Sequence, residues 1–237
     1  MKAIIFCAGL GTRFKPWTDQ HPKALAVING KSLLQRNVEY LQQAGIYDVV
    51  VNIHHFADQI EEAVNRSKGW GSRVVFSDER NEVLETGGGL LKAAPHLIEG
   101  DFVAINVDVL TNLPLNKMIA YHQSKGALAT LAVSDRKTSR FFLFDENDRL
   151  CGWRNVSTGA EKISVTQQAY NQKAFSGVHI INPQLFRLIT QQGKFSMVDV
   201  YLDVSARNTV LAFDHTGTNF IDVGKPESVA IAEAMFP

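Results

Sequence analysis

The sequence predicts an α/β fold, a Rossmann-like three-layer α/β/α arrangement around a mostly parallel central sheet. Three observations carry that prediction. Short runs rich in Val, Ile and Ala alternate with segments of helical periodicity, the runs are apolar throughout rather than striped, and Gly or Pro punctuates the junctions. A strand that is apolar on both faces needs cover above and below, and the intervening helices supply it. At 237 residues and 45% apolar content the chain can build one large core, and no linker, repeat or low-complexity segment divides it. A single domain over 1–237 is expected, with a small inserted hairpin subregion over about 135–175.

The first strand is the apolar run after Met1, and it ends in a glycine-containing turn. Ser32 then precedes LLQRNVEYLQQAG, where Leu34, Val38 and Leu41 recur near helical spacing and Gly45 supplies the stop. Residues 48–53 (DVVVNI) read as a buried strand, 56–67 place Phe56, Ile60, Ala63 and Val64 on one helical face, and 73–76 read as a short strand. The alternation continues with a helix at 89–94, a strand at 102–107, a helix at 115–122 and a strand at 127–134. From Arg140 the pattern changes: RFFLFDENDRLCGW reads as two short strands around a polar turn, and 155–173 is a polar substrate loop. A strand at 174–181, a helix from Pro183 to 190, strands at 209–213 and 219–223 and a helix from Pro226 complete the chain.

Composition excludes several functions. The 24 Lys and Arg balance the 24 Asp and Glu, so no bulk field draws nucleic acid or an anionic membrane. No apolar run is long enough to span a bilayer, and the N-terminal run breaks at Gly9, too early for a signal peptide. Cys7 and Cys151 lack ligand spacing and fit a reducing compartment, so a cytoplasmic protein is expected. His54 and His55 are neighbours on a strand end and point to opposite faces, against a metal site. No nucleophile elbow or Cys/His pair is present, and Phe141, Phe142 and Phe144 read as packing rather than a base-stacking platform.

Anion binding must therefore be local, and FCAGLGTR is the place for it. Gly9 and Gly11 directly after a strand let the backbone turn sharply and bring N–H groups against phosphate oxygens. Taken alone they more often mark an ordinary strand-to-helix turn. The stretch lacks the third glycine of the dinucleotide fingerprint and the Gly-Lys-Ser/Thr ending of a P-loop, which disfavours an NAD-dependent oxidoreductase. The informative residues lie downstream. With Ala8, Gly9, Gly11, Thr12, Arg13, Pro16, Thr18, Pro22, Lys23 and Leu25 in place, the segment resembles the AGxGTRxxPxT and PKxL signature of sugar-1-phosphate nucleotidyltransferases. It departs at Cys7, where the family usually has Ala, and at Trp17, where it usually has Leu.

The resemblance implies that Ala8, Gly9, Gly11 and Thr12 grip the nucleotide, that Arg13 faces the leaving pyrophosphate and that Lys23 faces the α-phosphate. Physically, nucleotidyl transfer spreads negative charge over the α-phosphate as pyrophosphate departs, so cations belong on both groups. LETGGGL, with three glycines at the mouth of a helix, is similar to the family segment that contacts the base, making Gly88 a nucleotide-binding candidate and Glu79 a second one. Asn106-Val107-Asp108 ends a strand at the edge where open α/β sheets bind ligands, a good place for a carboxylate holding Mg2+. By resemblance Asp108 and Asp222, the latter in IDVGKPES, hold that metal, and Arg13, Lys23 and Asp108 carry catalysis.

FSGV resembles the sugar-pocket segment, with Gly177 allowing close approach of the hexose and Asn106 a further candidate on the sugar side. Glu161-Lys162 resembles the pair that binds the sugar and its phosphate, although no Pro follows the Lys and the spacing to Gly177 is long, so Arg154 and Lys162 compete for the sugar phosphate. The implied reaction joins a nucleoside triphosphate and a sugar 1-phosphate, UTP with N-acetylmuramate 1-phosphate being first choice within a bacterial, cell-wall branch. GTP with mannose or heptose 1-phosphate is the alternative. A phosphocholine cytidylyltransferase would need a cage from Trp153, Tyr170 and Phe175. A non-catalytic homologue is disfavoured because Arg13, Lys23, Asp108 and Asp222 are all intact. A monomer or small homo-oligomer is expected, with no nucleic-acid or membrane partner.

Overall fold

The computed structural model describes residues 1–237. Its strands are β1 (Lys2–Phe6), β2 (Val27–Ile28), β3 (Lys31–Ser32), β4 (Asp48–Ile53), β5 (Arg73–Asp78), β6 (Phe102–Asn106), β7 (Val109–Thr111), β8 (Ala129–Ser134), β9 (Arg140–Phe144), β10 (Leu150–Asn155), β11 (Glu161–Ile163), β12 (Asn171–Ile181), β13 (Val210–Asp214) and β14 (Phe220–Asp222). The helices are α1 (Leu33–Gln43), α2 (Ala57–Arg66), α3 (Glu85–Ala93), α4 (Leu115–Lys125), α5 (Met197–Ser205) and α6 (Ser228–Met235).

The large sheet runs β11-β10-β9-β12-β6-β1-β4-β5, with β8 also paired to β12 and β13 to β8. Its centre, β6-β1-β4-β5, is parallel. The antiparallel strand β12 closes that block against β6, and β9, β10 and β11 extend the sheet as an antiparallel ribbon. The ribbon occupies the region read from sequence as the insertion.

Alternation along β1 explains the layers. Ala3 and Ile5 face a core shared with Leu34, Val38 and Leu41 of α1 and with Ile60 and Val64 of α2. Ile4 and Phe6 face the opposite core, built with Leu90 and Ala93 of α3 and Met197, Val200 and Tyr201 of α5. Successive side chains of a strand point to opposite faces, so an unbroken apolar run is what a doubly covered strand requires. The Ser32 hydroxyl caps α1 by accepting from Gln35 N at 3.1 Å, and Gly45 follows that helix at φ +77°.

Several elements differ from the sequence-based expectation. Helix α3 starts at Glu85, so the glycines expected at its mouth lie inside it. Each Gly costs roughly 1 kcal/mol of helix propensity relative to Ala, which makes three in a row read as a boundary until packing on that face is known. Helix α5 escapes a sequence reading because MVDVYLDVS is rich in β-branched residues; Ser196 caps it and the apolar core holds it. The helix expected from Pro183 to 190 is only a 3-10 segment, Pro183–Arg187. The loop expected over 155–173 contains β11 and the start of β12. Strand β14 leaves the large sheet and pairs with β7, a short strand the apolar pattern does not announce. No helix is long and apolar enough to cross a membrane.

Candidate active site

A cavity of about 500 Å³ opens beyond the carboxyl ends of β1, β4 and β6. That is where a parallel sheet presents its loops to a ligand. Ala8, Gly9, Gly11, Thr12, Arg13, Lys23, Asn106 and Asp108, all singled out in the sequence, line it. Asn52, Val83, Glu85, Thr86, Lys194 and Gly224 also line it.

The loop after β1 is shaped by its neighbours. Gly11 takes φ +60°, and a Cβ there would lie 2.8 Å from Thr18 Cγ2 and 3.2 Å from Lys23 Cβ, so the loop folds tightly back over the segment that carries Lys23. The Thr18 hydroxyl donates to the Gly11 carbonyl at 2.9 Å and reinforces this closure. Gly9 differs: a Cβ there would meet no atom within 4 Å, which leaves its face open to the cavity.

Arg13, Lys23 and Asp108 line the cavity, and Asp222, which does not, lies beside it next to Gly224 and Arg13. Lys23 Nζ donates to Asp108 Oδ2 at 2.5 Å, and the lysine side chain is only 10% exposed. Pairing of β14 with β7 sets Asp222 opposite Val109, and Val223 N donates to the Asp108 carbonyl at 2.8 Å, which draws the two acidic residues together. A Cβ on Gly224 would sit 2.7 Å from Asp222 Oδ1 and 3.2 Å from Arg13 Nη2, so the missing side chain lets the guanidinium approach the carboxylate. Although Asp222 is an exposed residue, the protein around its carboxyl raises its pKa, desolvation first and the Asp108 charge second. Lys23, Arg13 and Arg136 oppose that rise.

Two mutually repelling carboxylates beside a cavity of about 500 Å³ suit a hard divalent cation with oxygen ligands. No group of three or more His, Cys, Asp or Glu forms, so Mg2+ held here would take its remaining ligands from phosphates and water, which is its usual habit.

The other predicted residues have different surroundings. Gly88 does not line the cavity: a Cβ there would come within 2.2 Å of the Gly193 carbonyl oxygen, and one on Gly87 within 2.4 Å of the Phe195 ring. Gly87 N donates to the Phe195 carbonyl at 2.9 Å, and the Thr86 hydroxyl accepts from Met197 N at 3.1 Å. The glycines thus accept a docked segment, and it is Val83, Glu85, Thr86 and Lys194 that face the cavity. Glu79 is buried beneath Asn52. Gly177 takes φ +71°, where a Cβ would press on Asn106 Nδ2 and Val109 Cγ2, both at 2.9 Å, so it makes room for Asn106. Arg154 is paired with Glu161 across β10 and β11, Lys162 Nζ donates to Asp199 at 2.6 Å, and none of the three lines the cavity. His55 lies 3.3 Å from the Thr18 carbonyl, and Phe142 packs edge-on against Phe144 and Phe175.

Two residues without a sequence-based assignment stand out. Asn52 ends the apolar run DVVVN just as Asn106 ends FVAIN, and that parallel is the available signal. Arg136 donates to the Phe175 carbonyl at 2.8 Å, lies over the Phe220 ring at 5.1 Å and acts electrostatically on Asp222. No local pattern marks it.

Comparison with known proteins agrees with this geometry. The family described as Nucleotidyl transferase matches residues 2–235. N-acetylmuramate alpha-1-phosphate uridylyltransferase of Caulobacter vibrioides is 30% identical over 98% of this chain and 95% of its own length. Mannose-1-phosphate guanylyltransferase catalytic subunit beta of Drosophila melanogaster is 27% identical over 95% of this chain, which spans 60% of that protein. Among solved structures, HddC from Yersinia pseudotuberculosis complexed with GMP-PN superposes with a TM-score of 0.78 at 25% identity, covering 100% of this chain and 99% of HddC. With a glycine loop, two cations and two carboxylates gathered at one sheet edge and a match that runs almost end to end, the chain belongs to the nucleotidyl transferase family.

Proposed function

We propose that the protein condenses a nucleoside triphosphate with a sugar 1-phosphate, giving a nucleoside-diphosphate sugar and pyrophosphate. The convergence of Arg13, Lys23, Asp108 and Asp222 beside the Gly9–Gly11 loop carries this reading. A phosphate oxygen of the sugar phosphate attacks the α-phosphorus, a new P–O bond forms, and the bond to pyrophosphate breaks in line. The one thiol in the cavity wall, Cys7, is held well above the ordinary thiol range by burial and so is not an activated nucleophile, which leaves positioning and charge neutralisation as the work of the chain.

The loop amides and Arg13 orient the triphosphate with pyrophosphate toward the guanidinium. Lys23 is held ready by Asp108, and an incoming α-phosphate offers its ammonium a second anionic partner. Asp108 and Asp222 would hold Mg2+, which when bound neutralises charge on the phosphate oxygens. Asn106, kept in place by Gly177, faces the same cavity and is assigned to the sugar side. Of the rival cations, Lys162 is assigned to the sugar phosphate. Its ion pair with Asp199 is well exposed and costs little to break, whereas Arg154 is tied to its cross-strand partner Glu161.

UTP and N-acetylmuramate 1-phosphate are the preferred pair. Support comes from two relatives of that activity, at 30% and 29% identity, of which this chain covers 95% and 98%. Guanylyl transfer to mannose or heptose 1-phosphate is the second reading, supported by the guanylyltransferase relatives and the GMP-PN complex of HddC. Pyrophosphate release with each of the four ribonucleoside triphosphates against a panel of sugar 1-phosphates tests both. Turnover should be greatest with UTP and N-acetylmuramate 1-phosphate; a GTP optimum selects the second reading, and no turnover with any pair refutes the enzyme assignment.

A further inference from the structure

Beneath the nucleotide loop lies a buried polar chain that the reaction scheme does not use. Asn52, the penultimate residue of β4, is 2% exposed, and its Oδ1 accepts from Cys7 N at 2.6 Å and Ala8 N at 3.3 Å. Its Nδ2 donates to Glu79 Oε1 at 2.8 Å, and Glu79 is 1% exposed. We propose that Asn52 and Glu79 are positioning residues: Glu79 fixes the orientation of the Asn52 amide, and Asn52 fixes the backbone amides with which the loop after β1 receives the nucleotide.

The donor and acceptor chemistry allows one assignment. Cys7 N–H and Ala8 N–H are donors, so they need the amide oxygen of Asn52, which turns its NH2 group away from the loop. A carboxylate has only acceptors and can meet nothing else but that NH2. The arrangement therefore holds the amide in one of its two orientations. Left free to turn over, Asn52 would present its own N–H groups to two backbone donors and leave both loop amides unpaired.

The energetic setting marks this as more than routine packing. A buried carboxylate is costly, and burial pushes the Glu79 carboxyl up in pKa, against the hydrogen bond from Asn52. Its Oε2 has no hydrogen-bond partner within ordinary distance. A buried group of this kind calls for an explanation, and the one the geometry supplies is that its hydrogen bond sets the orientation of Asn52.

The chain also joins two walls of the cavity. Cys7, Ala8 and Asn52 belong to one wall, and Glu79 leads into the loop carrying Val83 and the first turn of α3, with Glu85 and Thr86, on the other. Gly89 belongs to this assembly rather than to the ligand: a Cβ there would lie 2.6 Å from Glu79 Oε1 and 2.9 Å from Asn52 Nδ2. The third glycine of ETGGG makes room for the relay, whereas Gly87 and Gly88 make room for the segment at Gly193 and Phe195.

A charge-swap cycle tests the proposal, whose kinetic arm rests on the nucleotidyl-transfer reading. Asn52→Asp places two carboxylates face to face. Combining Asn52→Asp with Glu79→Gln restores the chain with its charge moved: the amide introduced at position 79 donates to the carboxylate introduced at position 52, whose oxygens still accept from both loop amides. The single variant should raise KM for the nucleoside triphosphate roughly 10- to 100-fold, the loss of a charge-assisted hydrogen bond, and move KM for the sugar phosphate less than about threefold. The double variant should return to within about threefold of wild type. Gly89→Ala should shift the nucleotide KM in the same direction as the single variant.

Amide hydrogen exchange over residues 2–11 supplies a readout independent of turnover. The single variant should exchange faster at Cys7 and Ala8, and the double variant should regain protection. A double variant no better than the single in both measurements, or a single variant that raises both KM values equally, overturns the proposal. Absence of turnover in the wild type refutes the enzyme reading alone, and exchange then decides the relay.

Discussion

Gly9 and Gly88 look alike in the sequence, as glycines in ligand-binding segments, yet opposite consequences are expected from the same substitution. At Gly88 an added methyl would stand 2.2 Å from the Gly193 carbonyl oxygen and 2.9 Å from Leu84 Cβ. Ordinary contacts are about 3.5 Å or more, so something must move by about 1 Å, and neither neighbour is the flexible end of a side chain. Overpacking of this kind costs roughly 3 kcal/mol, and the better helix propensity of Ala offsets about 1 kcal/mol of that. A net loss near 2 kcal/mol lowers Tm by about 4–8 °C for a domain of this size. At Gly9 the methyl meets nothing within 4 Å and φ is not in the left-handed region, so Gly9→Ala should melt within about 1 °C of wild type. Its methyl would instead occupy space open to the cavity, and KM for the nucleotide should rise about tenfold or more. Differential scanning calorimetry and steady-state kinetics on the pair decide the matter. A Gly88→Ala protein as stable as wild type, or a Gly9→Ala protein with unchanged nucleotide KM, refutes this division of labour.

Three further outcomes are expected. Asp108→Asn should reduce kcat about 10²- to 10³-fold with a smaller change in sugar-phosphate KM, because it removes both a candidate metal ligand and the partner that holds Lys23; turnover within about threefold of wild type, over a titration of Mg2+, would remove the assignment. Lys162→Met should raise the sugar-phosphate KM about tenfold while Tm stays within about 2 °C, since an exposed pair contributes at most about 1 kcal/mol, and Arg154→Met should leave that KM nearly unchanged; the reverse pattern exchanges the two roles. Buried His179 has its pKa lowered to about 3 by desolvation. Above the unfolded value near 6.5 both states are neutral, and as pH falls below it only the unfolded state gains the proton, so stability is lost on acidification toward the folded pKa. Between about pH 7 and 5 this amounts to roughly 2 kcal/mol, which should appear as a falling Tm whose slope is flatter in His179→Phe; parallel slopes would show that His179 is not the responsible group.

The central strands and the cavity-lining residues of the N-terminal half of the candidate site were legible because each depends on local sequence. Strands such as KAIIF and DVVVNI are apolar on both faces, α1 repeats at helical spacing, and Ala8, Gly9, Gly11, Thr12, Arg13 and Lys23 lie within one stretch short enough to be matched as a unit. Asp108 was legible for a related reason, since it follows a buried strand at the edge where parallel sheets bind ligands. Helix α5 was not, because its β-branched residues favour strand on intrinsic grounds and only the core formed with α3 makes helix the better state.

What only the tertiary structure decided is which distant residues share a space. In sequence the glycines of ETGGG are equivalent, but packing gives Gly88 to the Gly193 backbone and Gly89 to Glu79 and Asn52. Glu79 reads as a base contact until the order β1-β4-β5 brings it under Asn52, and Asn52 reads as a strand-end residue until the parallel register of β1 with β4 sets it opposite Phe6 and beneath the loop. Arg136 acquires its place beside Asp222 only because β14 leaves the large sheet to pair with β7. Periodicity along a chain reports which face of an element is buried; it carries no information about which other element, tens of residues away, does the burying.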